Sequence, residues 1–190
     1  MSVRHRVLAG ATEVQSRVDE LGAELSAAHP NGCMLVGVLM GSVPFTADLA
    51  RAMSVPVRID FVGVSSYRPE AGRVRLVKDL DLDVSGQSVV IVHDVVHTGL
   101  TTAYLVGEMR RRGASTVDVC ALVDRVGRRV VPVPVRAAGF VVQDDYVVGM
   151  GLDHRGRYRN LGALMLVDEA DLEADADALV GDVYGRGYAG

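Results

Sequence analysis

The sequence predicts an α/β fold, a mainly parallel sheet flanked by helices on both faces. Two observations carry this: continuous apolar runs of strand length alternate with amphipathic helical stretches, and at least one buried run passes through a polar, glycine-bearing turn straight into a helix. Parallel strands buried on both faces read as unbroken Val/Ile/Leu runs, and helices must connect them.

The elements follow in chain order. Val14, Val18, Leu21 and Leu25 recur at helical spacing, and Thr12 followed by Gln15 three residues later predicts a capping box at the start of that helix. Residues 33–39 are apolar throughout and predict a buried strand. After Gly41 and Ser42, residues 44–53 carry Phe45, Leu49 and Met53 on one side of a second helix. Residues 57–64 predict another strand, whereas residues 65–74 are polar, contain Pro69 and Gly72, and predict a loop suited to a lid. The best buried strand is residues 88–92, which runs through His93, Asp94, Val95, Val96, His97 and Thr98 into a helix ending near Arg112 and Gly113. Residues 116–123 predict a further strand, and residues 136–142 and 146–152 predict two shorter ones. Beyond Val167 the pattern collapses into an acidic, alanine-rich stretch that predicts at most a fraying helix.

At 190 residues and 49% hydrophobic composition the chain can bury one sizeable core, so residues 1–167 are read as a single domain and residues 168–190 as an acidic tail. Cys33 and Cys120 each lie in an apolar strand, which favours unpaired thiols and a reducing, cytoplasmic setting. The first ten residues lack the apolar stretch of a signal peptide, and no apolar run is long enough to span a bilayer. A net charge of −4 with scattered arginines disfavours a nucleic-acid partner, which needs a concentrated basic face.

The turn after Val92 carries the chemistry. A buried strand delivers Asp94 to its carboxyl end while Thr98, Gly99 and Thr101 open the next helix, whose unpaired N–H groups and dipole attract a phosphate. On this pattern alone a helix entry capped by Thr98 is the alternative.

The segments GVLMGSVPFTADLAR, VRIDFVGVSSY, VRLVKDLDLDVSG, VVIVHDVVHTGLT, LVDRVGRR and DDYVVGMGLDHRGRYRNL, in this order and spacing, resemble the hypoxanthine-guanine phosphoribosyltransferases of bacterial type. The resemblance runs over residues 33–167 and implies a type I phosphoribosyltransferase fold with a small hood. It also implies 5-phosphoribosyl 1-pyrophosphate and a purine-like base as partners, Mg2+ as cofactor, and a homodimer or homotetramer. By the same resemblance His97, Thr98, Gly99, Leu100 and Thr101 cradle the 5'-phosphate. His93 and Asp94 stand where the family keeps a Glu-Asp pair for the ribose hydroxyls and metal. Met40 and Gly41 belong to the loop that binds pyrophosphate through its backbone, often with a non-proline cis peptide, and Met40 replaces the usual basic residue. Ser66 and Tyr67 match the lid, and Arg159 the pyrophosphate arginine. Asp153 matches a ligand of a second Mg2+ at the base and pyrophosphate end. Tyr146 matches the aromatic that stacks on the purine and Val147 the residue whose backbone meets the base edge. Arg125 replaces a lysine that donates to the 6-oxo group.

His97 occupies the position of the family aspartate that takes the proton from the purine. Imidazole, with an unperturbed pKa of about 6.5, suits a general base near neutral pH but offers no negative charge to an oxocarbenium-like transition state. The catalytic residues expected are therefore His97 and Asp94, with Asp94 and Asp153 as metal ligands. Two rival functions stand beside purine transfer: a specialised transferase for another heterocycle, and a non-catalytic nucleotide-binding regulator. A transition-metal site made of His93, Asp94 and His97 is disfavoured, because their spacing on a turn does not enforce convergence.

Overall fold

The computed structural model describes residues 5–64 and 75–184, so Ser66, Tyr67 and the expected lid lie outside the described residues. The chain runs β1 (His5–Ala9), α1 (Ala11–Ala28), β2 (Cys33–Leu39), α2 (Val43–Ala52), β3 (Val57–Val64), β4 (Leu76–Lys78), β5 (Ser88–Val96), α3 (Leu100–Arg111), β6 (Thr116–Arg125), β7 (Val135–Val142), β8 (Tyr146–Val148), β9 (Leu164–Val167), α4 (Glu169–Ala174) and α5 (Val180–Tyr184). The main sheet has the order β4-β3-β2-β5-β6-β7, parallel except for β4 at one edge.

Side-chain alternation along β5 divides the core into two layers. Val90 and Val92 join Leu21, Phe45 and Leu49 under α1 and α2, whereas Val89 and Ile91 join Leu105 and Met109 under α3. Each leucine fully removed from water in this way contributes about 1.5–3 kcal/mol. Both cysteines are free and buried; burial pushes the Cys33 thiol up to about 11 and the Cys120 thiol up to about 12, as befits small hydrophobes.

Several local expectations shift. No capping box forms on α1: Gly10 is the N-cap without a side-chain bond, and Gln15 Nε2 donates instead to Asp19 Oδ1 at 2.9 Å. Helix α3 is entered through Gly99 as its N-cap, whose left-handed φ of +82° turns the chain from sheet to helix, while Thr98 Oγ1 accepts from Leu100 N–H at 3.4 Å. The strand expected over residues 146–152 stops at Val148, since Gly149, Met150 and Gly151 all have positive φ and bend the chain back.

A second, three-stranded sheet, β1-β9-β8, forms the hood. Its β1 pairs antiparallel with β9, from His5 opposite Val167 to Ala9 opposite Leu164. Residues 168–184 do not trail as a fraying helix. Asp168 caps α4 by accepting from Ala170 N–H, and Leu172, Leu179 and Val183 bury themselves against Tyr158 and Met165 of the hood. Among the described residues no helix is long and apolar enough to cross a membrane.

Candidate active site

The parallel strands β3 and β2 lie on one side of a topological switch point and β5, β6 and β7 on the other, so the crevice beyond the carboxyl ends of β2 and β5 is where such a sheet places its ligand. The chain leaves β2 through a cis Leu39–Met40 peptide into Gly41, while Asp94 lies near the end of β5. The two strands bring Gly41 against Asp94 so closely that a Cβ on Gly41 would overlap Asp94 Oδ2. Gly151 closes the third side, and a Cβ there would overlap the Gly41 carbonyl oxygen.

A cavity of about 210 Å³ opens beside this junction, bounded by Asp94, His97, Arg125, Tyr146, Val147 and Asp153. Sequence reasoning named these six. It did not name Asp145, which also lines the cavity, because an aspartate in a turn before a strand looks like an ordinary loop residue. It also missed Asp144, whose carbonyl and Oδ1 accept from Arg125 Nη2 at 2.5 and 3.0 Å while Oδ1 also accepts from Arg128 Nε. Held in this way, Arg125 lies 5.9 Å over the Tyr146 ring and keeps its buried Nε without a hydrogen-bond partner. The Tyr146 hydroxyl donates to the Asp153 carbonyl at 3.2 Å, and the ring meets His154 edge-on.

Asp94 and Asp153 bring carboxylates to the same cavity. Asp153 pairs with Arg159 Nη2 at 2.7 Å and accepts from Gly156 N–H at 2.6 Å, while Arg159 Nη1 donates to the Gly151 carbonyl at 2.6 Å. Burial pushes the Asp94 carboxyl up, with neighbouring Asp153 adding to the rise against Arg159. Burial also lowers the His97 pKa, with further lowering from Arg125 and Arg128, so its imidazole is neutral at pH 7. Thr98 turns its carbonyl to the N–H groups of Val130 and Val131, at 3.0 and 2.9 Å, and thereby fixes the turn that opens α3 through Gly99, Leu100 and Thr101. Met40 stands 66% exposed at the rim.

His93 is not in this cavity. Alternation along β5 sends it to the α3 face, where it is 4% exposed and its Nε2 shares a hydrogen bond with Thr102 Oγ1 at 3.2 Å. The expected ribose-binding role for His93 is therefore replaced by a structural one. Burial, helped by His97 and Arg129, lowers its pKa to about 4. Between that value and the unfolded value of about 6.5 the unfolded chain holds a proton that the folded chain does not, so folding stability falls as pH drops through this window. From a shift to about 4 the loss is on the order of 3 kcal/mol. Urea unfolding at pH 7 and pH 4 should show His93→Gln losing less stability than the unaltered protein by that amount.

The description "phosphoribosyl transferase domain" belongs to the family model that matches residues 10–154, and this span covers β2, β5, the cavity and Asp153. The chain belongs to the phosphoribosyltransferase family. Among this family's members, the hypoxanthine-guanine phosphoribosyltransferase of Bacillus subtilis is 38% identical over 173 residues, covering 89% of this chain and 96% of the relative. The enzyme of the same name from Mycobacterium avium is 40% identical over 172 residues, covering 85% of each. A crystal structure of a hypoxanthine phosphoribosyltransferase from Staphylococcus aureus superposes with a TM-score of 0.84 at 30% identity, covering 90% of this chain and 94% of that one. As a phosphoribosyltransferase, the chain shows its type I fold among the described residues: the parallel sheet with helices on both faces, and the hood.

Proposed function

We propose that this chain transfers the 5-phosphoribosyl group of 5-phosphoribosyl 1-pyrophosphate to a ring nitrogen of a purine or purine-like base and releases pyrophosphate. The observation that carries the reading is the junction of Gly41, Asp94 and Gly151 at the switch point, opening onto a cavity lined by His97 and Arg125 together with the carboxylates Asp94 and Asp153. The ribosyl carbon gains positive character as pyrophosphate departs, and Asp94 is the carboxylate best placed to stabilise it. Neutral His97 accepts the proton that the heterocycle nitrogen loses as it bonds to the sugar, and Arg125 donates to an oxygen on the ring. Tyr146 stacks on the base, Val147 meets its edge, and the backbone and hydroxyls of Thr98 to Thr101 hold the 5'-phosphate. Met40, Gly41 and Arg159 hold the pyrophosphate through backbone and guanidinium.

Asp94 and Asp153 bear on one another electrostatically, and a divalent cation would relieve that repulsion. Mg2+ favours carboxylate oxygen and keeps several waters, so these two side chains fit it. When bound, it supplies charge neutralisation to the departing diphosphate. We read the protein as a cytoplasmic homodimer or homotetramer.

A second reading, a transferase for a purine analogue, is favoured by His97 and Arg125, two changes from the family pattern that face the same base-binding wall. The test is pyrophosphate release with Mg2+ and 5-phosphoribosyl 1-pyrophosphate over hypoxanthine, guanine, xanthine, adenine and a panel of analogues. Release driven by hypoxanthine or guanine supports the first reading, and release driven only by an analogue supports the second. Nucleotide binding with no release from any base sinks both and leaves a regulator.

A further inference from the structure

The segment before Arg159 takes an improbable path. Met150, Arg155 and Tyr158 are non-glycine residues with φ of 47°, 50° and 72°, a region L side chains rarely adopt unless their surroundings hold them there. What holds Tyr158 is the C-terminal segment. Its ring is 1% exposed and packs among Leu172, Leu179 and Val183, its hydroxyl donates to the Ala176 carbonyl at 2.6 Å, and the same oxygen accepts from Leu179 N–H at 3.4 Å.

The neighbours of Arg159 are tied the same way. Arg155 pairs with Glu173, Arg157 with Asp177 through Nη2 and Oδ2 at 2.9 Å, and the Tyr184 hydroxyl donates to Asn160 Oδ1 at 2.6 Å. Only Arg159 turns the other way, toward Gly151 and Asp153 in the cavity. The ion pairs are exposed and weak, so the buried Tyr158 is the principal anchor. Residues 155–184 lie beyond the span of the matching family model.

We propose that Tyr158 is a positioning residue through which residues 168–184 set the placement of Arg159 at the pyrophosphate end of the site. This rests on the reading of Arg159 as a pyrophosphate ligand. The acidic C-terminal segment thus completes the donor-binding half of the site, while Tyr146 of the base-binding half packs at the edge of the same cluster. Loss of the tyrosine hydroxyl frees the left-handed turn to relax and lets the guanidinium drift from the diphosphate.

The full-length variants Tyr158→Phe, which keeps the ring, and Leu179→Ala, which loosens the segment away from the site, test it alongside Arg159→Ala. In each of the first two, the KM for 5-phosphoribosyl 1-pyrophosphate should rise about five-fold, and by clearly more than kcat or the KM for the base changes. Arg159→Ala should raise the same constant further. Lowered melting temperature with an unchanged donor KM, or equal changes in all three constants, overturns the positioning role and leaves Tyr158 as packing. If Arg159→Ala itself leaves the donor KM unchanged, the assignment of Arg159 fails, and the positioning role falls with it for that separate reason.

Discussion

Gly41→Ala should lower kcat/KM by about 100-fold or more, because displacements of an ångström at the reacting centre cost that much. An added Cβ would overlap Asp94 Oδ2 and approach the Gly151 carbonyl oxygen to 3.2 Å. Asp94 cannot retreat without cost, since its Oδ1 accepts from Val95 N–H at 2.8 Å and its backbone belongs to β5. Nor can Gly151, whose own missing Cβ lies against the Gly41 carbonyl. The methyl group therefore displaces either the carboxylate that faces the sugar or the loop that faces the diphosphate. Gly107→Ala provides the contrast: it lies inside α3 with nothing within 4 Å of a new Cβ. That change should leave kcat/KM intact and stabilise the fold by about 0.5–1 kcal/mol. Steady-state kinetics and urea unfolding on both variants check the pair, and a fully active Gly41→Ala would show that the junction is not part of the reacting centre.

What was legible in the sequence was whatever is encoded locally. The unbroken apolar run of β5 and the glycine that opens α3 are short-range signals, and they gave the parallel sheet and the position of the phosphate-type turn. The hood was legible through the family resemblance and not through any local pattern. Its strand β1 is a five-residue stretch whose partner β9 begins some 160 positions later, and nothing in HRVLA announces that pairing. The tail was misread for a related reason. Leu172, Leu179 and Val183 are too sparse to suggest a core alone, and their burial depends on Tyr158, which supplies the surface they cover. At the site, spacing said which residues approach the turn but not which face of β5 each one takes. His93 and Asp94 are adjacent in sequence and point to opposite layers, so one lines the cavity and the other locks to Thr102.

His97→Asp should raise kcat/KM for hypoxanthine or guanine by about ten-fold or more, within the range that a well-placed general base contributes. Both side chains accept a proton at this position, but only the carboxylate adds negative charge to stabilise the cation that forms on the sugar. The pH profile separates the two roles. A general base works unprotonated, so activity falls as pH drops through its folded-state pKa. Burial, then Arg125 and Arg128, lower that value for His97, which places the acid limb of the unaltered enzyme below about pH 6.5. In His97→Asp the limb should move lower, because an ordinary carboxyl titrates near about 3.9 and the same two arginines favour its ionised form against the upward push of burial. An acid limb that stays in place in His97→Asp and in His97→Ala removes the imidazole from proton transfer. A limb that shifts while hypoxanthine and guanine stay poor substrates keeps His97 as the base and directs the search to a heterocycle whose ring proton is acidic enough for imidazole alone to take.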